Sequence, residues 1–447
     1  MMKTEKETLC QLVQLLQKEG FSDVRFYLQH TRRFGVNVFE GKQENTVRAD
    51  DRAYFVEAGK NGKRCCTFFN HLDDLQGVVE QMQLSALASQ EEYNPTPAIA
   101  QPQDFAQSWE EPQEQVVVDR LIEAEQAARK ETKISCVDHC GYQETWQEIT
   151  LMDEQGNTLT DSSRSATVSV SVVSRENGDT EIANGQRSVA SLAEMDAVSL
   201  AQQVAQLGAD RLHSKPIVSG NYAVILKNDA AAELLEAYLP VFYASELQNQ
   251  MSALGNQQGQ QVAAPDLELI EDPQYPQGRV HRHFDDEGTP VSRKYLLKDG
   301  AFVCALYNRK SASKEEKSST GNGFKSDVSS AVGTGVTNVL LQSASGSYCS
   351  MEQLCAKMKD GLIVTGLEGV FAGVNTINGR FSLLCKGMVV ENGKQVKPFC
   401  EVTIAGSIGD LLRDVVALGD DPAPTAAGSQ FLQTPSILLK KLAVSGL

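Results

Sequence analysis

Leu9, Leu12, Val13 and Leu16 recur at helical spacing, which predicts an amphipathic helix over residues 4–19, stopped by Gly20. Beyond Gly20 the period shortens to two. Residues 24–28 and 36–40 read as two separate short strands, followed by residues 52–59 and 64–69, with Gly41, Gly59 and Asn61-Gly62 at the turns. Helical patterns return at residues 72–89 and 115–130. The stretch between them, with Pro95, Pro97, Pro102 and Pro112, reads as a surface excursion. Strand patterns at 132–137, 147–153 and 166–173 precede a helix over 192–211.

Lys215-Pro216 and Ser219-Gly220 then mark a change of texture. Glycine becomes frequent, and long β-type runs lie between Asp299-Gly300, Asn378-Gly379 and Asn392-Gly393 turns. Helical patterns are few, at about 229–239, 351–359 and 407–414. The expected class is α+β with two domains. Residues 1–214 form a domain of helices and short strands. Residues 215–447 form a mainly antiparallel, β-rich domain with few helices.

With 447 residues and 41% hydrophobic content, the chain can bury a sizeable core. It carries 41 basic and 58 acidic residues, a net charge of −17, and its basic pairs are scattered. Direct nucleic-acid binding is not expected from such a surface. No run of 18 apolar residues occurs, and Met1–Glu7 lack the apolar core of a secretion signal. A cytoplasmic protein without a membrane span is expected. Its ten cysteines, mostly inside apolar runs such as those around Cys304, Cys385 and Cys400, read as reduced thiols.

Candidate chemistry is sparse. There is no H-E-x-x-H, G-x-S-x-G or phosphate-binding loop. His281-Arg282-His283-Phe284-Asp285 is similar to the H-x-H-x-D-H run of metallo-β-lactamase-type hydrolases, but Asp286 stands where another histidine is needed. A solvated loop is the alternative. Cys136, Asp138 and Cys140 would share one face of a strand with His139 on the other, and no second ligand pair lies nearby. Gly333-Thr334-Gly335 lacks the third glycine of a dinucleotide loop. The run Asp285-Asp286-Glu287-Gly288 either binds a cation or cationic group, or is a solvated turn.

Several segments fall in a telling order. Ser219–Leu226 leads into Asn228-Asp229-Ala230-Ala231-Ala232, and Phe284–Gly288 and Ser318–Asn322 follow. Lys386–Gly393, Thr403-Ile404-Ala405-Gly406, Gly419-Asp420-Asp421 and Pro435-Ser436-Ile437 complete the series. In this the chain resembles the TldD/PmbA family, long called modulators of DNA gyrase and linked to intracellular proteolysis. One branch of that family carries an H-E-x-x-x-H helix and a later cysteine that together hold zinc. The resemblance places Glu236 and Val241 where the two histidines stand, Ala237 at the catalytic glutamate and Ala427 near the cysteine. The chain is therefore similar to the PmbA/TldE branch, which lacks the zinc motif.

The resemblance implies a subunit with no catalytic or metal-binding residues and no cofactor of its own. Its partner would be a TldD-like zinc peptidase, and their substrates unfolded or leader peptides. Peptide would be held by strand addition, with Asp285, Asp286, Glu287, Gly288, Ser319, Thr320, Gly321 and Asn322 lining or supporting the chamber. A homodimer is expected of the isolated chain. Two alternatives stay open: a stand-alone regulator that binds a gyrase- or toxin-related protein, and an independent hydrolase using His281, His283 and Asp285.

Overall fold

A computed structural model describes residues 3–189, 191–424 and 431–447. The first half is built on a seven-stranded sheet. Its strands are β1 (Ser22–Phe39), β2 (Lys42–Lys60), β3 (Lys63–Phe69), β4 (Gln103–Asp104), β5 (Ile134–Met152), β6 (Thr158–Glu176) and β7 (Asp179–Val189). They lie in the order β3-β2-β1-β5-β6-β4, with β7 also paired to β6. Helices α1 (Lys3–Lys18), α2 (Leu75–Ala88), α3 (Glu114–Ala128) and α4 (Ala197–Arg211) accompany it.

The expectation of short strands is wrong, and the reason lies in β1. Its two apolar runs do belong to different cores. Val24, Phe26 and Leu28 pack with Leu9, Leu12 and Leu16 of α1 and Val78, Val79 and Met82 of α2. Phe34, Val36 and Val38 pack with Val117 and Leu121 of α3 and with Leu200 and Val204 of α4. All six share one face, because successive side chains of a strand alternate. The polar residues between them look like a loop in sequence. Yet the backbone pairs with both β2 and β5 without a break from Phe26 to Asn37, so one strand crosses both cores. His30 and Arg32 bridge the gap over the rings of Trp146 and Trp109.

Two other expectations fail locally. The 90–115 stretch is not merely a surface excursion: Ile99 and Trp109 are buried, and Gln103–Asp104 pairs with β6. Tyr142, Trp109 and Arg164 all donate to the fully buried Glu144 carboxylate. The simple alternation expected at Cys136–Cys140 is broken by irregularities between Ile134 and Cys136 and between Val137 and His139. Cys140 packs into the helix-facing core, while His139 meets Ser169 Oγ at 2.8 Å.

The second half holds two six-stranded sheets. In one, Ala301–Phe302, Lys294–Lys298, Leu267–Glu271, Asn338–Ser343, Phe431–Thr434 and Ala423–Pro424 follow one another. In the other, Lys394–Ser407, Arg380–Glu391, Gly361–Glu368, Gly220–Leu226, Ile437–Ser445 and Val415–Leu418 do so. Lys394–Ser407 also pairs with Ile437–Ser445, so this second sheet closes on itself. Pairing is mainly antiparallel, as expected, with two parallel strand pairs among the described residues, at Leu362–Val224 and Asn338–Phe431. Between these sheets runs α5 (Asn228–Tyr238), inside a core that draws on both. Among the described residues no helix is long and apolar enough to cross a membrane.

A smaller cluster joins the halves. Tyr27, Phe55, Ile149, Leu151 and Leu159 project from the first sheet onto Phe284 and Val328 of the second half. This contact sets the loop that follows Phe284 against the strands of the first half.

Candidate functional site

The helix at the position of a zinc motif is α5. Asn228 and Asp229 do not cap it as their residue types suggest: the cap is Lys227, which makes no side-chain bond there. Instead Asn228 Nδ2 donates to Asp421 O at 2.7 Å. Leu234, Leu235, Tyr238 and Leu239 are buried, as the apolar stripe predicts. Pro240 lies in the tight turn Leu239–Phe242 that ends the helix. Val241 is 2% exposed within the main core, and Ala237 packs against the same core. Glu236 adds its charge to burial in raising the pKa of Glu233. Ala427 lies outside the described residues. Among those described, no three His, Cys, Asp or Glu side chains converge as metal ligands.

The acidic run after Phe284 is not a solvated turn. Asp285 is fully buried and caps its own loop, accepting N–H bonds from Glu287 (3.0 Å) and Thr289 (2.8 Å). Its second oxygen takes Gly323 N–H at 2.8 Å. Asp286 pairs with the buried Arg282 at 2.7 Å and accepts Lys325 N–H at 2.8 Å. Glu287 accepts Arg309 N–H at 2.8 Å. Gly288 has φ +77°, a backbone favoured by glycine. Asp285 and Asp286 are thus engaged by protein donors and Glu287 by one backbone N–H, so the segment organises the loop.

Ser319–Asn322 lies beside it, held by Asp285 through Gly323 and by its own turn. Ser319 Oγ donates to Tyr307 O at 3.0 Å, and Tyr307 N–H donates to Thr320 Oγ1 at 2.8 Å. A side chain at Gly321 (φ +73°) would meet Pro290 O at 2.7 Å. Asn322 donates to both oxygens of Glu271, at 3.0 and 2.9 Å. Glu271 is fully buried and also takes Lys294 Nζ at 3.0 Å and Thr337 N–H at 2.9 Å. Sequence reasoning missed this pair. Its signal was a carboxylate ending the apolar run Leu267–Glu271, a position where a buried acid needs a cation.

A cavity of about 770 Å³ opens between the halves. Of the residues assigned to the chamber, Asp286 and Glu287 line it, whereas Asp285, Gly288 and Ser319–Asn322 do not. Tyr27 and Phe55 supply aromatic faces, and Lys325 Nζ lies 3.5 Å from the Phe55 ring centroid. Burial raises the Glu287 pKa to about 7, with Asp285 adding repulsion. Burial likewise raises Asp285 to about 6 and lowers Lys325 to about 8.

The sign of the linkage is definite. A carboxyl whose folded pKa exceeds its unfolded value favours folding while protonated, and loses that contribution as pH rises through the folded value. For Glu287 the window runs from the ordinary 4.5 to about 7. We expect Glu287→Gln to be about 1–3 kcal/mol more stable than the parent at pH 8, and equal to it near pH 4. Denaturant unfolding at several pH values reads this, and a constant offset would contradict it.

The remaining histidine candidates serve structure. His283 N–H donates to Asp161 at 2.6 Å, and its ring stacks on Phe105 at 3.9 Å. His281 Nε2 lies 2.9 Å from Tyr275 O. These two rings and Asp285 therefore do not assemble a hydrolytic centre.

Comparison with known proteins places this arrangement. Residues 219–446, more than half of the chain, match the PmbA/TldA metallopeptidase C-terminal domain, and residues 107–212 match the central domain of the same family. The Escherichia coli O157:H7 metalloprotease PmbA is 27% identical over 276 residues, covering 62% of this chain and 57% of that protein. The chain spans about half the length of the curated relatives it matches. A Thermotoga maritima structure named as a candidate modulator of a DNA gyrase aligns with a TM-score of 0.84 and 25% identity, over 98% of this chain and 99% of that one. TldE from Thermococcus kodakarensis has the same fold, with a TM-score of 0.87 and 18% identity over 98% and 100% of the two chains. The order of motifs, the matched domains and the shared fold converge: this chain belongs to the TldD/PmbA family.

Proposed function

We propose that this chain is the PmbA/TldE-type, non-catalytic subunit of a cytoplasmic TldD/TldE-type metallopeptidase that acts on unfolded or leader peptides. One observation carries the reading. At the positions of the zinc motif, Val241 is buried in apolar packing, Ala237 lacks the carboxylate of the catalytic glutamate, and Glu236 at the first ligand position belongs to no group of three metal-binding side chains among the described residues. Zinc needs three or four N, S or O donors at about 2.0–2.3 Å, and this helix offers a packed face instead. The residues present do not fit the ion, so no step in this chain runs through it. The name metalloprotease carried by the Escherichia coli relative belongs to that protein.

The division of labour follows from chemistry. A zinc-bearing partner lowers the pKa of bound water and polarises the amide, while this chain supplies fold, interface and peptide contacts. Strand β7 supports strand addition, since among the described residues its pairing runs along β6 alone.

Co-expression with a homologue carrying H-E-x-x-x-H tests the proposal. A 1:1 complex should cleave an unfolded peptide at least about tenfold faster than this chain alone, and chelator should abolish the cleavage. Robust chelator-sensitive cleavage by the isolated chain would sink the idea. A homodimer that ignores the zinc homologue would favour the stand-alone regulator.

A further inference from the structure

The cavity between the halves has a charge balance that a merely packed subunit does not need. Arg25 enters it from β1, Arg309 from the start of the short helix Arg309–Ser313, and Lys325 from the strand Gly323–Lys325. Among the described residues none of the three has a carboxylate within ion-pair distance of its charged head. The acids around them are already engaged. Glu57 pairs with Arg64, Glu91 with Arg64 (3.2 Å) and Lys310 (2.5 Å), and Asp286 with Arg282. Glu287 takes a backbone N–H and holds its proton up to about neutral pH. At the exposed rim, Glu92 and Lys314 oppose each other in charge.

The two guanidiniums are incompletely bonded. Arg25 gives Nη2 to the carbonyls of Thr96 and Pro97, which carry no charge, and its Nε is buried without a partner. Arg309 bonds Thr289 Oγ1 through Nε at 3.3 Å, and its Nη1 is also buried without a partner. They sense each other: after burial, Arg309 contributes to lowering the Arg25 pKa. Like charges around a partly dry cavity are costly unless a counter-charge sits among them. The neighbouring wall is apolar, built from Tyr27, Phe55, Leu151 and Pro95. The volume falls within the range of about 300–1,000 Å³ usual for small-ligand sites.

We propose that this cavity seats the C-terminal residue of a peptide, its α-carboxylate between Arg25 and Arg309 and its apolar or aromatic side chain against Tyr27 and Phe55. The inference deepens the subunit reading and takes the word peptide from it. A carboxylate fits better than a phosphate. Planar guanidinium forks match a carboxylate, and a single negative charge suits a site bordered by the Asp286 carboxylate. Phosphate sites also draw on backbone N–H groups, and the Arg309 N–H is taken by Glu287.

Titration calorimetry on the full chain with acetyl-Ala-Leu-Phe tests the site, comparing the free acid with the carboxamide. The acid should bind at least about tenfold tighter, the scale of a charge-assisted contact. Arg309→Gln and, independently, Arg25→Gln should bring the acid towards the affinity of the amide while far-ultraviolet dichroism stays unchanged. Equal affinities in the parent, no binding of either peptide at millimolar concentration, or undiminished preference in both variants would overturn the proposal. So would displacement of the acid by inorganic phosphate at lower concentration than by acetate. Cleavage by the complex with the zinc homologue, followed in parallel, separates the two readings. An active complex with equal acid and amide binding removes the carboxylate site alone. Acid preference in a chain that never pairs removes the subunit reading alone.

Discussion

Replacing Glu271 by alanine is expected to lower stability by about 3–5 kcal/mol, the scale of breaking a buried ion pair. The carboxylate is fully buried and serves four donors: Lys294 Nζ, Asn322 Nδ2, Thr337 N–H and Thr337 Oγ1. Without it the Lys294 ammonium, itself largely buried, keeps a hydrogen bond to Asn322 Oδ1 but no counter-charge. Asn322 Nδ2 keeps only its bond to Gly335 O at 2.8 Å, which loosens the turn that begins at Ser319. Glu271→Gln should cost less, because its amide oxygen still accepts from Thr337 while only its NH2 opposes a donor that the carboxylate accepted from. Chemical denaturation should show a lower midpoint for alanine than for glutamine. Equal midpoints for parent and alanine would mean that the pair does not hold this turn.

Truncating Tyr238 to alanine should cost about 3–5 kcal/mol, the usual range for removing a large aromatic side chain from a core. Tyr238 is 2% exposed on α5 and donates its hydroxyl to Gly379 O at 2.8 Å. Tyr238→Phe keeps the ring and loses that bond, so its cost should be about 1–2 kcal/mol. The ratio between the two variants separates packing from hydrogen bonding. It also tests the central contention about this helix: a scaffold helix is damaged by cavities. An unchanged midpoint for Tyr238→Ala would show that α5 does not anchor the second half.

Helices were legible because their apolar stripes are local. The pattern at Leu9, Leu12, Val13 and Leu16 predicts residues 4–19, and the helix runs Lys3–Lys18. Strand length was not legible. The polar stretch around His30 and Arg32 interrupts the apolar pattern of β1, and only pairing with β2 and β5, a non-local fact, carries the backbone through. The candidate site shows the same division. Asp285 and Asp286 stand out in sequence as charges, but their burial follows from Phe284 packing on Leu151 and Leu159 of the first half. Arg25 and Arg309 meet in one cavity although they lie far apart along the chain. No spacing rule could have joined them, because the contact is made by two folded halves and not by one element.

The closed sheet of the second half has a consequence for biosynthesis. Ile437–Ser445 sits between Gly220–Leu226 and Val415–Leu418 and also reaches Lys394–Ser407. The opening strand of this half must therefore wait for nearly all the rest to be translated before its flank is covered. During that delay Val224, Ile225 and Leu226, all buried in the finished protein, present a bare adhesive edge to the crowded cell. A nascent chain with residues 1–214 already gathered and residues 215–436 still unsealed is the stage at which a holding chaperone has most to protect.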